Sequence, residues 1–127
     1  MNINPTKLQY IFGFVFCTAY QLIFYKYGLN LWDEGGLAYG ALRSLNGEIP
    51  LVDFGFDGYP PGRYFLTALF FKIFGVNLTS IRLLFVILTS ITVILFYHIS
   101  KNIMDKNFAV ISTLLFLSAP SMYYNRL

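Results

Sequence analysis

An acid-rich polar stretch interrupts an otherwise apolar chain, and that contrast limits what the chain can become. From Trp32 to Gly75 it reads WDEGGLAYGALRSLNGEIPLVDFGFDGYPPGRYFLTALFFKIFG, and five of the six acidic residues lie in it: Asp33, Glu34, Glu48, Asp53 and Asp57. Apolar runs flank it on both sides. A carboxylate beside hydrocarbon is costly unless it faces water, a metal or a substrate, so this cluster is where chemistry is to be sought. Charged residues make up 12% of the chain and hydrophobic ones 57%. Soluble domains carry about 25% charge. The composition therefore points to a membrane protein, and with the apolar runs described next the expected fold is an all-α polytopic one.

Three runs have spanning character: Leu8–Tyr25, Ile81–Ile99 and Phe108–Tyr124. Each approaches the roughly 20 residues needed to cross about 30 Å of hydrocarbon. They frame a single membrane domain over 1–127, with an outer loop at 26–80. Lys101 and Lys106 bracket a short connection, and Lys7 lies near the N-terminus. The positive-inside rule places both on the cytoplasmic side, and the acidic loop then lies outside. The parity holds if the fourth apolar run, Tyr64–Phe74, lies at the interface or re-enters rather than spans. At about 11 residues it is short for a crossing.

Within the loop, Leu37, Ala41, Leu42 and Leu45 recur at helical spacing, which predicts a helix over Glu34–Asn46 with Gly47 as its stop. Asp33 is placed to cap its start. The stretch Gly55–Gly62 is turn-forming. The loop is thus expected to be structured.

Several function classes are excluded. No run of Lys or Arg offers a nucleic-acid surface, and the net charge is only +3. The single Cys17 forbids an internal disulfide, and the single His98 forbids a histidine-rich metal site. Most of the residues left for chemistry have both a functional and a structural reading. Asp33 is a helix cap or a general base. Glu34 orients Asp33, helps to bind a metal, or complements the helix dipole. Asp53 and Asp57 are ligands for a divalent cation or solvated turn residues. Arg63 pairs with a lipid phosphate or snorkels. Tyr59 stacks on a sugar ring or packs at the interface. Lys72 and Arg82 read as membrane-edge anchors. Asn77-Leu78-Thr79 matches a glycosylation sequon, too common a match to carry weight.

The ordered set Asp33-Glu34, Tyr39, Gly47-Glu48-Ile49-Pro50, Asp53-Phe54, Pro60-Pro61-Gly62, Tyr64, Phe74-Gly75 and Arg82-Leu83 resembles the N-terminal part of GT-C membrane glycosyltransferases. Protein O-mannosyltransferases and lipid A aminoarabinose transferases are among them. The resemblance runs from the first apolar segment to Tyr124-Asn125-Arg126. It implies a multi-helix enzyme with a polyprenyl-phosphate sugar donor, a catalytic acid in the first outer loop, matched by Asp33, and juxtamembrane helices in that loop. Tyr59, Pro60, Pro61 and Arg63 would then shape the donor site. Many relatives carry a charged residue just before the double proline, where this chain has Tyr59. A second functional acid in the next outer loop would lie at or beyond Leu127.

The expected function is transfer of a sugar from a polyprenyl phosphate to an acceptor at the outer membrane face. Three helices and one loop are little material for such a pocket, and the chain stops at Asn125-Arg126-Leu127 without a polar tail. It is therefore expected to be the N-terminal portion of a longer protein and inactive alone. The alternatives are an inactive fragment, or a small non-enzymatic membrane protein that binds lipid or a partner subunit.

Overall fold

The computed structural model describes residues 5–24, 32–55 and 60–119. Five helices follow in order: α1 (Pro5–Phe24), α2 (Asp33–Leu45), α3 (Gly62–Phe74), α4 (Leu78–Ile103) and α5 (Lys106–Ser118). Among the described residues there is no strand, only an isolated bridge between Pro50 and Phe54. The all-α expectation therefore holds. The helices fall into two compact units. One comprises α1, α4 from Val86 onward and α5; the other comprises α2, α3 and the start of α4 through Phe85.

In the first unit, α1 begins at Pro5, whose fixed φ and missing N–H suit a first helical position. Its side chains pair with α4 in falling order. The Tyr10 hydroxyl lies 2.8 Å from His98 Nδ1, while Thr18 Oγ1 and Gln21 Nε2 each donate to Ser90 Oγ at 3.1 Å. The two helices thus run antiparallel. Gln21 and Ser90 are buried, and such interhelical hydrogen bonds hold apolar helices together where lipid gives no hydrophobic drive. Met104 and Asp105 turn the chain into α5, whose Phe116 stacks on Phe96 at 4.4 Å. Cys17, Val93 and Leu117 form the core between the three helices. The outward faces stay apolar, with Phe12, Val15 and Ile23 on α1 and Leu95 and Ile99 on α4 exposed.

The second unit is an α2–α3 pair closed by the start of α4. Leu37 and Ala41 of α2 meet Tyr64, Ala68 and Phe71 of α3, with Phe54 and Ile81 completing the core. These positions recur at three and four residues, so each helix buries one stripe. The helices approach closely because Gly40 has no side chain. A Cβ there would lie 2.5 Å from two Tyr64 ring carbons and 3.2 Å from the Phe54 ring. Gly40→Ala should therefore destabilise the protein by about 1–3 kcal/mol, the usual cost of overpacking. Gly36→Ala meets nothing within 4 Å and should instead gain up to about 1 kcal/mol of helix propensity. Thermal unfolding in detergent should shift in opposite directions for the two variants.

Both ends of these helices follow from sequence. Gly47 adopts φ +92° after α2, and the N–H groups of Gly47 and Glu48 donate to Ser44 O and Arg43 O. That is a Schellman stop, so the expected helix over Glu34–Asn46 is present within one residue at each end. Its start differs, however. Trp32 is the N-cap residue and makes no side-chain cap bond. Asp33 is the first helical residue and not the N-cap residue. At the start of α4, Asn77 Oδ1 accepts the Ser80 N–H at 2.8 Å, an N-cap bond that uses the side chain of the apparent sequon.

The expected spans are revised. α4 is longer than Ile81–Ile99, since the Asn77 cap starts it at Leu78 and it continues to Ile103. At 26 residues it covers about 39 Å. Among the described helices it alone is long and apolar enough to cross a membrane. The apolar part of α1, Leu8–Phe24, is shorter. The expected span Phe108–Tyr124 appears as α5, which ends at Ser118. Ala119 is extended at φ −62°, ψ 131°, as the residue before Pro120 is sterically obliged to be. Thirteen helical residues give about 20 Å, so of the three expected crossings only α4 is a clear candidate among the described residues; residues 120–124 lie outside them.

Candidate functional site

The acid pair opens α2. Asp33 and Glu34 occupy its first turn, where unsatisfied N–H groups favour negative charge. Successive residues point about 100° apart around a helix, so the two carboxylates diverge. Glu34 joins the buried stripe with Leu37 and Ala41 and is 5% exposed, whereas Asp33 is half-buried at the edge of that stripe.

Glu34 meets Arg82 of α4 in a forked ion pair. Arg82 Nε donates to Glu34 Oε1 at 3.2 Å and Nη2 donates to Oε2 at 3.1 Å. The side chains are 13% and 6% exposed. Two parallel charge-assisted bonds fix both groups in plane. Arg82 is therefore not a snorkelling membrane-edge anchor but the ion-pair partner of Glu34, a connection that sequence reasoning missed. The signal available was weak: two opposite charges in apolar surroundings, 48 residues apart.

A second polar cluster holds the turn after α2. Arg43 forms an ion pair with Glu48, donates to the backbone carbonyl of Asp53 at 3.1 Å, and covers the Phe54 ring at 4.7 Å. The hydrogen bond to Glu48 pushes the guanidinium of Arg43 further up than usual, against a smaller effect of desolvation. Asp53 Oδ2 accepts the Ile49 N–H at 2.7 Å. The Asp53 carboxylate thus closes a turn. Among the described residues no group of three or more acids, histidines or cysteines could hold a metal ion. Asp57 and Tyr59 lie outside the described residues.

Pro60 and Pro61 lead into α3, and Pro61 is its N-cap residue at φ −62°. Their carbonyls accept the N–H groups of Arg63 and Tyr64. Arg63 stands half-exposed in the first turn, and its carbonyl accepts the Thr67 hydroxyl at 2.8 Å. The contact of Tyr64 with Gly40 sets this end of α3 against the middle of α2, about two helical turns from Asp33. The structure thus brings Glu34 to Arg82, while Asp33 precedes Glu34 in the same helical turn and points away from it, and Arg63 lies on α3. The first unit contributes an apolar cleft of about 320 Å³ lined by residues including Phe12, Cys17, Ile94 and Leu114. It has no carboxylate in its wall and is no candidate for the same chemistry.

No curated protein and no solved structure matches the chain. The family described as dolichyl-phosphate-mannose-protein mannosyltransferase matches residues 59–127, more than half of the sequence. The match takes in the double proline, α3, Arg82 with the rest of α4, and α5; the acid pair precedes it. A glycosyltransferase-type function at the family level follows, with a lipid-linked sugar as donor in general terms. With the matched region covering that much of the sequence, the chain belongs to the dolichyl-phosphate-mannose-protein mannosyltransferase family.

Proposed function

We propose that the protein takes part in moving a sugar from a polyprenyl phosphate to an acceptor at the outer membrane face, with Asp33 as general base. In that reaction the acceptor hydroxyl or amine gives its proton to the Asp33 carboxylate. Its lone pair forms the new bond to the anomeric carbon, and the bond from that carbon to the phosphate oxygen breaks. The lipid phosphate leaves with the bonding pair. One displacement suffices, so no protein nucleophile is required. Arg63 suits the leaving phosphate because a guanidinium binds phosphate through two parallel donors. Tyr59, Pro60 and Pro61 would wall the sugar. A divalent cation held by Asp53 and Asp57 is the less favoured addition, since the Asp53 carboxylate already accepts the Ile49 N–H.

The observation that carries this reading is the division of labour within the acid pair. Glu34 is committed to Arg82 and buried, while its neighbour Asp33 stays half-exposed at the same helix start. Neighbouring acids in unlike surroundings are how proteins separate a structural carboxylate from a reacting one. The test is transfer of labelled mannose from a polyprenyl-phosphate donor by membranes carrying the protein. Transfer that does not depend on Asp33 would refute the assignment.

The proposed setting is a multi-pass membrane protein with a cytoplasmic N-terminus and an extracytoplasmic acid pair. Lys101 lies 4.7 Å from the ring of Tyr10, so the start of α1 and the lysine-bracketed turn share one end of the first unit, as the positive-inside rule requires for that topology. α3 buries Tyr64, Thr67, Ala68 and Phe71 and still exposes Phe65, Leu66, Leu69 and Ile73. With one face packed in the protein core, its exposed apolar face suits contact with lipid at the membrane surface. In a Cys17→Ala background, an impermeant thiol reagent added outside should label a cysteine at Asn46 and spare one at Asn102. The reverse pattern would invert the topology.

A further inference from the structure

The turn after α2 has a feature that neither the ion pairs nor the proposed chemistry accounts for. Ile49, Leu51 and Val52 are 54%, 62% and 76% exposed, while Pro50 and Phe54 between and beside them are buried. Three bulky apolar side chains therefore project together from a tip anchored by its other two. Leu51 has φ +71°, a left-handed conformation unusual for a residue with a branched side chain. Strain of that kind persists where the surroundings impose it, and it marks sites with a task.

The tip's backbone is closed on itself. Ile49 N–H donates to Asp53 Oδ2, Leu51 N–H to Phe54 O, and both Val52 and Asp53 N–H to Ile49 O, at 2.7 to 3.1 Å. Pro50 has no N–H to satisfy. From 49 to 53 no backbone donor is left needing water. Unpaired N–H and C=O groups keep irregular backbone out of the hydrocarbon core; with its donors satisfied the tip suits a shallow position at the headgroup level, where water still reaches its carbonyls. Phe54 also joins the core that contains Ile81 of α4, so the tip is anchored to the start of the helix with membrane-spanning length.

We propose that Ile49, Leu51 and Val52 form a rigid wedge that inserts into the outer surface of the bilayer, giving α2 a lipid contact of its own. The occupant is the lipid interface rather than a protein, because a bilayer already surrounds α4 in the setting proposed above. The inference rests on that membrane setting and not on the transferase reading.

The test uses bimane on a single cysteine at Val52 in the Cys17→Ala protein, reconstituted in phosphatidylcholine nanodiscs. Val52 is exposed enough that the label costs no packing. Probes at Asn46 and Leu88 are compared, Asn46 as the water-facing reference and Leu88 as the reference for α4 in lipid. Insertion predicts blue-shifted emission at Val52, quenching by lipids carrying a doxyl group near the headgroup, and loss of quenching by aqueous iodide. A Val52 probe that behaves like Asn46 while Leu88 is quenched by lipid would overturn the wedge and leave the membrane setting standing. Shielding from iodide without lipid quenching would mean that a protein surface covers the tip, and would also overturn it. A Leu88 probe untouched by lipid would remove the membrane setting and the wedge together.

Discussion

Replacing Arg82 by leucine will loosen the α2 end of the molecule by about 3–5 kcal/mol, the usual cost of stranding one member of a buried ion pair. Glu34 is 6% exposed at its side chain. Without the guanidinium its charge would lose both forked bonds and gain no water. Amide exchange across Leu37–Ala41 in nanodiscs should accelerate by at least roughly 10²-fold, since each 1.4 kcal/mol is a factor of ten. Removing both partners is the informative comparison. Glu34→Leu with Arg82→Leu strands no charge, and an apolar pair of similar volume is often neutral or better, so exchange should return close to its original rate. If Arg82→Leu alone leaves exchange unchanged, the pair does not hold α2 to α4.

The reversed pair separates charge from geometry. Glu34→Arg with Arg82→Glu keeps attraction across the same gap but puts a cation in the first turn of α2. There it opposes the helix dipole, at a cost of about 0.3–1 kcal/mol. Rescue should therefore be substantial and incomplete.

This pair also shows how far the sequence could be read. α2 was legible because Leu37, Ala41 and Leu45 sit at helical spacing and Gly47 supplies the φ of +92° that its stop requires. Those are local signals, complete within one or two turns. Arg82 was not legible, because a lone arginine at the edge of an apolar run looks the same whether it snorkels to water or reaches a carboxylate 48 residues away. Only packing distinguishes the two. The ends of α4 and α5 lie between these cases. Asn77 was read only as part of a sequon, yet its side chain starts α4, because hydropathy marks an apolar run and not its caps; among the described residues α5 ends at Ser118. For the site, the position of Asp33 at the start of α2 followed from sequence. Its role as a cap did not survive, because Trp32 takes that position. Asp53 had two readings, cation ligand or turn residue, and the structure shows its carboxylate closing the 49–53 turn.

Asp33 is the first helical residue of α2, and its change to asparagine tests the chemistry with little change of shape. Asp33→Asn keeps the size of the side chain and removes its charge. Asparagine can still accept and donate hydrogen bonds there, and the loss of a first-turn carboxylate's interaction with the helix dipole costs about 0.3–1 kcal/mol. The catalytic loss is far larger if Asp33 takes the acceptor proton, since a positioned general base contributes roughly 10²–10⁴-fold. Mannose transfer by membranes carrying the variant should fall by that factor while the amount of folded protein hardly changes. Asp33→Glu should restore part of the rate, because it returns a base at a displaced position, whereas it would give no such recovery if the residue merely filled space. Glu48→Gln is the control for acidity in the same loop. It weakens the pair with Arg43 and should disturb the turn without removing the base, so most of the transfer should remain. Asp33→Asn with near-normal transfer, or a Glu48→Gln variant as inactive as Asp33→Asn, would move the proton acceptor away from Asp33 and leave the first turn of α2 with a structural role alone.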